Sequence, residues 1–244
     1  MGLIRRDGTR LTTALVTGAS SGIGAATAAR LAAAGCAVVL TGRDEHRLAR
    51  VADSTGGRAV AADLAASGEP ERVAEAAADA DLVVHSAGLG WAGPLGEMPR
   101  RSIDDLVEVN LTAALRLTRE LLPGLVERNG HLAFVSSIAA VGVRDEAVYS
   151  ATKAGVRAFA ASLRYDGLGV TTIFPGAVRT PFFDGRTYAR RHPRMVDADE
   201  VADALLRGVR RDRAEVFVPG WLTLPARISG ALPGVFHRLS RRFG

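Results

Sequence analysis

The sequence predicts an α/β fold in which one mostly parallel, seven-stranded sheet carries helices on both faces. Short apolar runs alternate with segments of helical periodicity, and a glycine-rich turn joins the first run to the first helix. With 244 residues, of which 48% are hydrophobic and 23% charged, the chain suits one domain with a sizeable core. The first strand, helix and strand form a βαβ unit, so we expect a doubly wound, Rossmann-type architecture.

The alternation assigns the elements in order along the chain. Strands are predicted at 13–18, 36–41, 58–62, 81–85, 131–136, 170–174 and 214–218. Helices are predicted at 22–34, 44–53, 69–78, 102–128, 147–164 and 198–210. Because no linker or repeat divides the chain, we expect a single domain over 1–244, with its core at about 12–218.

Two segments fall outside this alternation. Residues 181–197 are polar and carry a cluster of basic side chains, namely Arg186, Arg190, Arg191, His192 and Arg194. Loops of this length often cover a site, which predicts a substrate lid. Residues 219–244 are predicted to be a C-terminal extension, with three prolines among apolar residues and arginines.

The charge and composition limit the kinds of partner and compartment that we expect for this protein. The net charge is +5 and the sequence pI about 10.2, but no basic stripe with interleaved aromatic residues and no zinc-ligand spacing accompanies that charge. We therefore expect no nucleic-acid partner and no metal. The single cysteine, Cys36, lies in an apolar run and is predicted to be a buried structural thiol. The sequence has neither a signal core nor a run of 18 apolar residues, which predicts a cytoplasmic protein without a transmembrane segment.

The turn after the first strand has the pattern of a dinucleotide-binding loop. Three glycines allow a tight turn and a close approach of the backbone to a pyrophosphate, whose charge the N-terminus of the following helix favours. The turn comprises Thr17, Gly18, Ala19, Ser20, Ser21, Gly22, Ile23 and Gly24. Because it follows a strand and opens a helix within a βαβ unit, it predicts a cofactor site.

The end of the second strand favours NADP over NAD. An acidic side chain near this point binds the ribose 2′-hydroxyl of NAD in dinucleotide folds, but the strand ends in Gly42 and Arg43. The planar guanidinium of Arg43 suits a 2′-phosphate. The alternative is that Arg43 is solvated and that Asp44 binds NAD.

Tyr149 and Lys153 form the candidate catalytic pair. They are four positions apart in a predicted helix, and so share one face. An ammonium group nearby stabilises a phenolate and allows the tyrosine to exchange protons as a general acid or base. Lys153 is the only lysine in a chain that otherwise uses arginine, and the guanidinium of arginine is too basic and too large for this role.

With these motifs the chain resembles the short-chain dehydrogenase/reductase family, classical type. The glycine loop, Ala87-Gly88, Asn110, Ser137, the Tyr149–Lys153 motif and the segment 175–180 match that family's motifs in order, over about 12–218. The resemblance implies a Rossmann-type fold, a nicotinamide cofactor, carbonyl–alcohol interconversion and a homodimer or homotetramer.

The resemblance also implies roles for individual residues. Lys153 would hold the cofactor ribose, Asn110 would hold a relay water, and Ser137 would hydrogen-bond the substrate oxygen. Asp63 and Leu64 would flank the adenine. The remaining cofactor-binding residues implied are Ser86, Ala87, Gly88, Pro175, Gly176, Val178 and Thr180. Helix 147–164 is rich in small residues and is expected to pack against a partner chain.

Two departures from the family pattern bear on these roles. His85 and Ser86 replace the usual pair of asparagines before Ala87, and we expect His85 to be a core histidine with its hydrogen bonds satisfied. Ser136 and Ser137 lie 13 and 12 positions before Tyr149, and both spacings are compatible with an active serine. Ser137 is favoured because the family's active serine is usually the second of such a pair.

The sequence thus predicts an NADP-dependent oxidoreductase that interconverts a small-molecule carbonyl and a secondary alcohol, with Tyr149 as general acid/base. One alternative is a catalytically silent NADP-binding module. Another is an additional membrane-surface role for the basic tail Arg227–Arg242. The arginines of the predicted lid raise the hypothesis of an anionic substrate, against the simpler interpretation of a solvated lid.

Overall fold

The computed structural model describes residues 2–183 and 195–232, together with 234 and 238. Its centre is a seven-stranded sheet in which every neighbouring pair of strands is parallel, in the order β7-β6-β5-β4-β1-β2-β3. The strands are β1 (Thr13–Thr17), β2 (Ala37–Gly42), β3 (Arg58–Ala61), β4 (Leu82–His85), β5 (His131–Val135), β6 (Gly169–Pro175) and β7 (Glu215–Val218). All seven predicted strands are present, in one doubly wound domain.

Strands β1 to β3 extend the sheet to one side, and β4 to β7 extend it to the other. The strand order therefore reverses between β1 and β4, which lie side by side. In open parallel sheets, ligands bind outside the carboxyl ends of the strands at such a switch point. The fold therefore fixes where a site is expected before any side chain is considered.

Helices cover both faces of the sheet. They are α1 (Gly22–Ala33), α2 (Glu45–Thr55), α3 (Glu69–Ala76), α4 (Arg100–Val107), α5 (Ala113–Glu127), α6 (Ala147–Leu163), α7 (Ala198–Arg210) and α8 (Thr223–Ala231). Apolar side chains of α1, α2 and α7 pack on one face, and those of α3, α5 and α6 pack on the other.

The strands are apolar on both faces because both are covered. In β1, Ala14 and Val16 join the core under α1 and α7, whereas Leu15 joins the core under α5 and α6. All three are fully buried. This explains why the strands have continuous apolar runs rather than the alternating pattern of a half-exposed sheet.

The single helix predicted over 102–128 is wrong in one respect. Between α4 and α5 the residues Glu108–Thr112 form a turn of π-helix, which contains Asn110. Single π-turns inside helices occur frequently at functional sites. Apolar periodicity did not reveal the turn, because it spans only the five residues Glu108–Thr112 within a longer helical stretch.

Besides single helical turns, two pairs of short strands and one helix of the described residues lie outside the predicted set. Leu3–Ile4 pairs with Arg10–Leu11 in an antiparallel hairpin, and Val178–Arg179 pairs with Val196–Asp197 in parallel. The helix is α8 in the C-terminal extension. The lid arginines from Arg186 to Arg194 lie outside the described residues, so the structure describes only the two ends of the predicted lid.

Cys36 is a buried free thiol, as predicted. Its Sγ donates to the carbonyl of Leu11 at 3.5 Å, and burial raises the pKa of the thiol. Within the part of the chain that the structure describes, no helix is long and apolar enough to cross a membrane. The same residues contain no cluster of three or more His, Cys, Asp or Glu side chains arranged to hold a metal ion.

Candidate active site

A cavity of about 640 Å³ opens at the carboxyl ends of β1, β2, β4, β5 and β6. All the residues predicted to bind cofactor or substrate line it, with one exception. The lining set is Gly18, Ser20, Ser21, Gly22, Ile23, Gly24, Arg43, Asp63, Leu64, Ser86, Ala87, Gly88, Ser137, Tyr149, Lys153, Pro175, Gly176, Val178 and Thr180. The exception is Asn110, which lies behind the cavity wall.

The glycine loop is shaped by contacts that leave no room for side chains. Gly18 has φ +65°, and a Cβ there would lie 2.8 Å from the backbone of Ala87. A Cβ on Gly24 would lie 2.3 Å from the carbonyl oxygen of Gly18. The loop thereby delivers the N-terminus of α1 to the cavity, where free backbone N–H groups can bind a phosphate. The residues present fit a dinucleotide pyrophosphate.

Thr17 ties the loop to the neighbouring strand end. Its Oγ1 accepts hydrogen bonds from the backbone N–H groups of Ser86 and Ala87, both at 3.0 Å. This cross-link holds the ends of β1 and β4 in register at the switch point. It also fixes the loop containing Gly88, which lines the cavity beside Lys153.

The end of β2 presents a cation to the cavity. Arg43 and Asp44 are both exposed and line it, and the carboxylate of Asp44 also caps α2. Asp44 Oδ1 accepts from the backbone N–H of Arg47 at 2.9 Å, and Oδ2 lies 3.2 Å from Arg47 Nε. The side chain that would have to bind the ribose of NAD is therefore engaged in capping the helix. Arg47 also lines the cavity, a second cation that the sequence analysis missed.

Lys153 is buried in the wall between α6 and β5. Its Nζ donates to the carbonyl of Val135 at 2.9 Å and lies 5.7 Å from the centre of the Tyr149 ring. Burial lowers the pKa of Lys153 from its usual 10.5 to about 8. The group is still mostly charged at neutral pH, so an ammonium faces the Tyr149 ring from within the protein.

The two candidate serines have different surroundings. Ser136 is buried, and its Oγ donates to the carbonyl of Lys153 at 3.0 Å. Ser137 is partly exposed to the cavity, where its Oγ accepts from the backbone N–H of Ala139 at 3.1 Å. The hydroxyl proton of Ser137 can therefore still be donated to a bound oxygen, whereas that of Ser136 is engaged.

Asn110 joins three parts of the site. Its Oδ1 accepts from the N–H of Leu89 at 2.7 Å, and its Nδ2 donates to the Leu89 carbonyl at 2.9 Å and to Thr152 Oγ1 at 3.2 Å. Thr152 in turn donates to the carbonyl of Tyr149 at 2.8 Å. The π-turn thus places the side-chain amide of Asn110 where it hydrogen-bonds both the loop after β4 and the helix that carries the candidate catalytic pair.

A small internal space of about 10 Å³ lies behind Lys153 and is lined by Asn110, Thr17 and His85 among others. That volume is close to the minimum for one water molecule, and the lining supplies polar partners. His85 is a core histidine, as predicted: its Nε2 lies 2.9 Å from Thr118 Oγ1 and its ring stacks on Phe134 at 4.8 Å. Burial lowers the pKa of His85 to about 3, so the ring is neutral.

The substrate side of the cavity contains residues that the sequence analysis did not identify. Leu89, Trp91, Val143 and Phe182 contribute apolar side chains to the cavity lining. The ring centre of Phe182 lies 5.9 Å from that of Tyr149. The only signal that could have indicated them is position, because each lies in a loop that follows the carboxyl end of a strand.

Comparisons with known proteins agree with this geometry. Residues 12–190 match the family model described as short chain dehydrogenase. An uncharacterized oxidoreductase of Myxococcus xanthus is 34% identical over 246 residues, covering 94% of this chain and 96% of the relative. The 1-deoxy-11-beta-hydroxypentalenate dehydrogenase of Streptomyces arenae is 38% identical over 228 residues, covering 84% of this chain and 81% of the relative.

The solved structure of a short-chain dehydrogenase from Sphingobium yanoikuyae in complex with NADPH is also similar. It superimposes with a TM-score of 0.80 at 31% identity, covering 94% of this chain and 95% of that one. The family model spans most of the chain, and both the sheet order and the cavity are those expected of a nicotinamide-binding fold. The chain therefore belongs to the short-chain dehydrogenase/reductase family and is a nicotinamide-dependent oxidoreductase.

Proposed function

We propose that the protein is an NADP-dependent oxidoreductase that interconverts a carbonyl and a secondary alcohol, with Tyr149 as the general acid or base. The observation that carries this proposal is the burial of a charged Lys153 with its Nζ 5.7 Å from the Tyr149 ring. A buried ammonium is costly unless a group nearby uses its charge. Here it stabilises the phenolate form of Tyr149 when the phenol gives up its proton.

In the reductive direction, a bound nicotinamide cofactor would supply the hydride for reduction of the carbonyl carbon. Tyr149 donates its phenolic proton to the substrate oxygen, and Ser137 donates a hydrogen bond to the same oxygen. Lys153 binds the ribose hydroxyls and keeps the developing phenolate stable. Asn110 positions Leu89 and α6, and the space behind Lys153 takes a water that returns a proton to the site.

NADP preference rests on the end of β2. Arg43 offers its guanidinium to a 2′-phosphate, and Arg47 adds a second positive charge close by. Asp44 is engaged in capping α2, which disfavours the use of its carboxylate on the 2′-hydroxyl of NAD. The remaining cofactor contacts follow the resemblance: Asp63 and Leu64 at the adenine, and Thr180 at the carboxamide.

The protein is further proposed to be a homo-oligomer that packs through α6. Ala151, Ala158 and Ser162 are exposed on one face of that helix, with Gly155 between them. Small side chains at this spacing allow two helices to approach closely. Replacing Ala158 by Arg is expected to lower the mass measured by light scattering to that of a monomer, and an unchanged mass would exclude α6 as the contact.

The proposed activity is tested by assaying a panel of ketones, aldehydes and secondary alcohols with NADPH, NADP, NADH and NAD. Turnover is expected with the phosphorylated cofactors, together with NADPH binding measured by fluorescence. If the protein binds NADPH but turns over nothing in a broad panel, the catalytically silent alternative is favoured. Turnover with NADH at the same efficiency as with NADPH would refute the preference for NADP but not the proposed oxidoreductase activity.

A further inference from the structure

The C-terminal extension exposes an apolar face that the described residues leave uncovered. Trp221, Leu224 and Leu232 are 57%, 66% and 58% exposed, in and beside α8. Leu222 and Ala226, on the other side of the same segment, are only 3% exposed and anchor it to the domain. The segment is therefore amphipathic, with one side packed on the protein and a tryptophan and two leucines directed to solvent. We call these three residues the C-terminal apolar face.

This face lies beside the catalytic cavity. Helix α8 packs against the turn Ile138–Val141, which directly follows Ser137. Ile138 and Ala139 line the cavity. A large partner held on the C-terminal apolar face would thus lie close to the point where substrate reaches the site.

Most of the charged side chains around the face are arginines. From Val216 to the C-terminus the sequence contains no Asp or Glu but four arginines, of which Arg227 and Arg238 are exposed in the structure. A groove of about 280 Å³ between α7 and β7 ends at Gly220, immediately before Trp221, and is lined by Arg207, Arg211 and Arg213. Glu200 is the acidic side chain in this described lining. The apolar face is therefore bordered by guanidinium groups.

We propose that the C-terminal apolar face and its arginines dock the enzyme on an anionic lipid bilayer. Tryptophan and leucine side chains enter the interfacial layer of a membrane, and neighbouring arginines bind phosphate headgroups. A second copy of this chain fits less well, because a two-fold contact would place the same arginines against each other without acidic partners from this segment. Docking would deliver lipophilic substrates to the adjacent cavity.

The proposal is tested by co-sedimentation of the full chain with vesicles of phosphatidylcholine alone or with roughly 30% phosphatidylglycerol. Binding is expected to anionic vesicles at low salt, and to fall as salt is raised. The variant Trp221→Gln/Leu224→Gln is expected to lose at least about fivefold in vesicle affinity, and Arg227→Gln a smaller amount. A matched control is Tyr165→Gln/Val126→Gln, which removes two exposed apolar side chains elsewhere and should bind like the wild type.

Folding of each variant is checked by thermal unfolding and by NADPH binding, neither of which the proposal expects to change. Equal sedimentation of the wild type and the Trp221→Gln/Leu224→Gln variant, or no sedimentation of the wild type, would overturn the proposal. If the wild type does not bind vesicles and the variant has a lower oligomer mass than the wild type, the face would be assigned to a contact with a second copy of the chain instead. Since vesicle binding needs no turnover, its failure is distinguishable from failure of the proposed activity.

Discussion

The cofactor side and the substrate side of the cavity differ in how far the backbone determines them. On the cofactor side, steric contacts dictate residue type: a Cβ on Gly18 would meet the backbone of Ala87, and Thr17 is fixed by two N–H donors. On the substrate side, Trp91, Val143 and Phe182 present side chains whose identity the fold does not restrict in this way. The cofactor side is therefore recognisable as a sequence motif, whereas the substrate side is under no comparable steric restriction.

The largest expected effect on cofactor binding is that of Gly18→Ala. The new methyl group would displace the Ala87 backbone and would require φ +65° of a residue that rarely adopts it, so we expect NADPH affinity to fall by at least about 100-fold. The matched control is Gly56→Ala, at φ +64° with open space around its Cβ position. That control should cost about 1 kcal/mol of stability and leave NADPH affinity unchanged. Equal NADPH affinities of the two variants would contradict the steric account.

Burial of Lys153 predicts a pH-dependent stability of the cofactor-free protein. The folded state releases the proton near pH 8 and the unfolded chain near 10.5, so the unfolded state binds more protons between these values and the free energy of unfolding rises with pH there. Below about pH 8 the folded state carries the whole free-energy cost of burying the charged lysine, about 3 kcal/mol. Lys153→Met is therefore expected to be more stable than the wild type at pH 7, by up to that amount.

The measurement is denaturant unfolding of both proteins from pH 6 to 10.5. The difference in stability should shrink as pH rises, because the buried wild-type lysine becomes neutral. Titratable groups that do not contact Lys153 are common to both proteins, so their contributions largely cancel in the difference. A difference that stays constant over the whole range would show that burial does not lower the pKa of Lys153, and a difference that already falls steadily from pH 6 would show that Lys153 is neutral in the folded state at neutral pH.

A smaller effect is expected at the end of β2. Arg43→Ala should weaken NADPH binding about tenfold, through the loss of one charge-assisted hydrogen bond, while NADH binding stays the same. Arg50→Ala serves as the control, because Arg50 is exposed on the adjacent helix α2 but does not line the cavity. Isothermal titration with both cofactors measures the change. Equal losses for NADPH and NADH would remove Arg43 from the 2′-phosphate site.

The smallest effect is expected on the substrate side. Trp91→Leu should raise KM for the best substrate by about fivefold, because part of an apolar contact with the substrate is lost. The affinity for NADPH should stay unchanged. Trp221→Leu is the control, since Trp221 does not line the cavity. If Trp91→Leu weakens NADPH binding instead, the division of the cavity into two sides is wrong.

The same contrast explains what the sequence could predict. The seven strands followed from apolar runs because both faces of the sheet are buried, and the Tyr149–Lys153 pair followed from helical spacing. Asn110 was identified by resemblance, but its π-turn was not, because the turn depends on hydrogen bonding to Leu89 and Thr152 across the fold. Trp91 and Phe182 were not identified individually because the position of a loop after a strand end does not tell which of its side chains turn into the cavity.

The central claim is that Tyr149 exchanges the proton. It is tested most directly by single-turnover hydride transfer in Tyr149→Phe, compared with the wild type at saturating NADPH. Loss of the general acid should slow the step by about 100- to 10,000-fold, while the Kd of NADPH stays within about twofold. Hydride transfer at the wild-type rate in a Tyr149→Phe protein that binds NADPH normally would contradict the account.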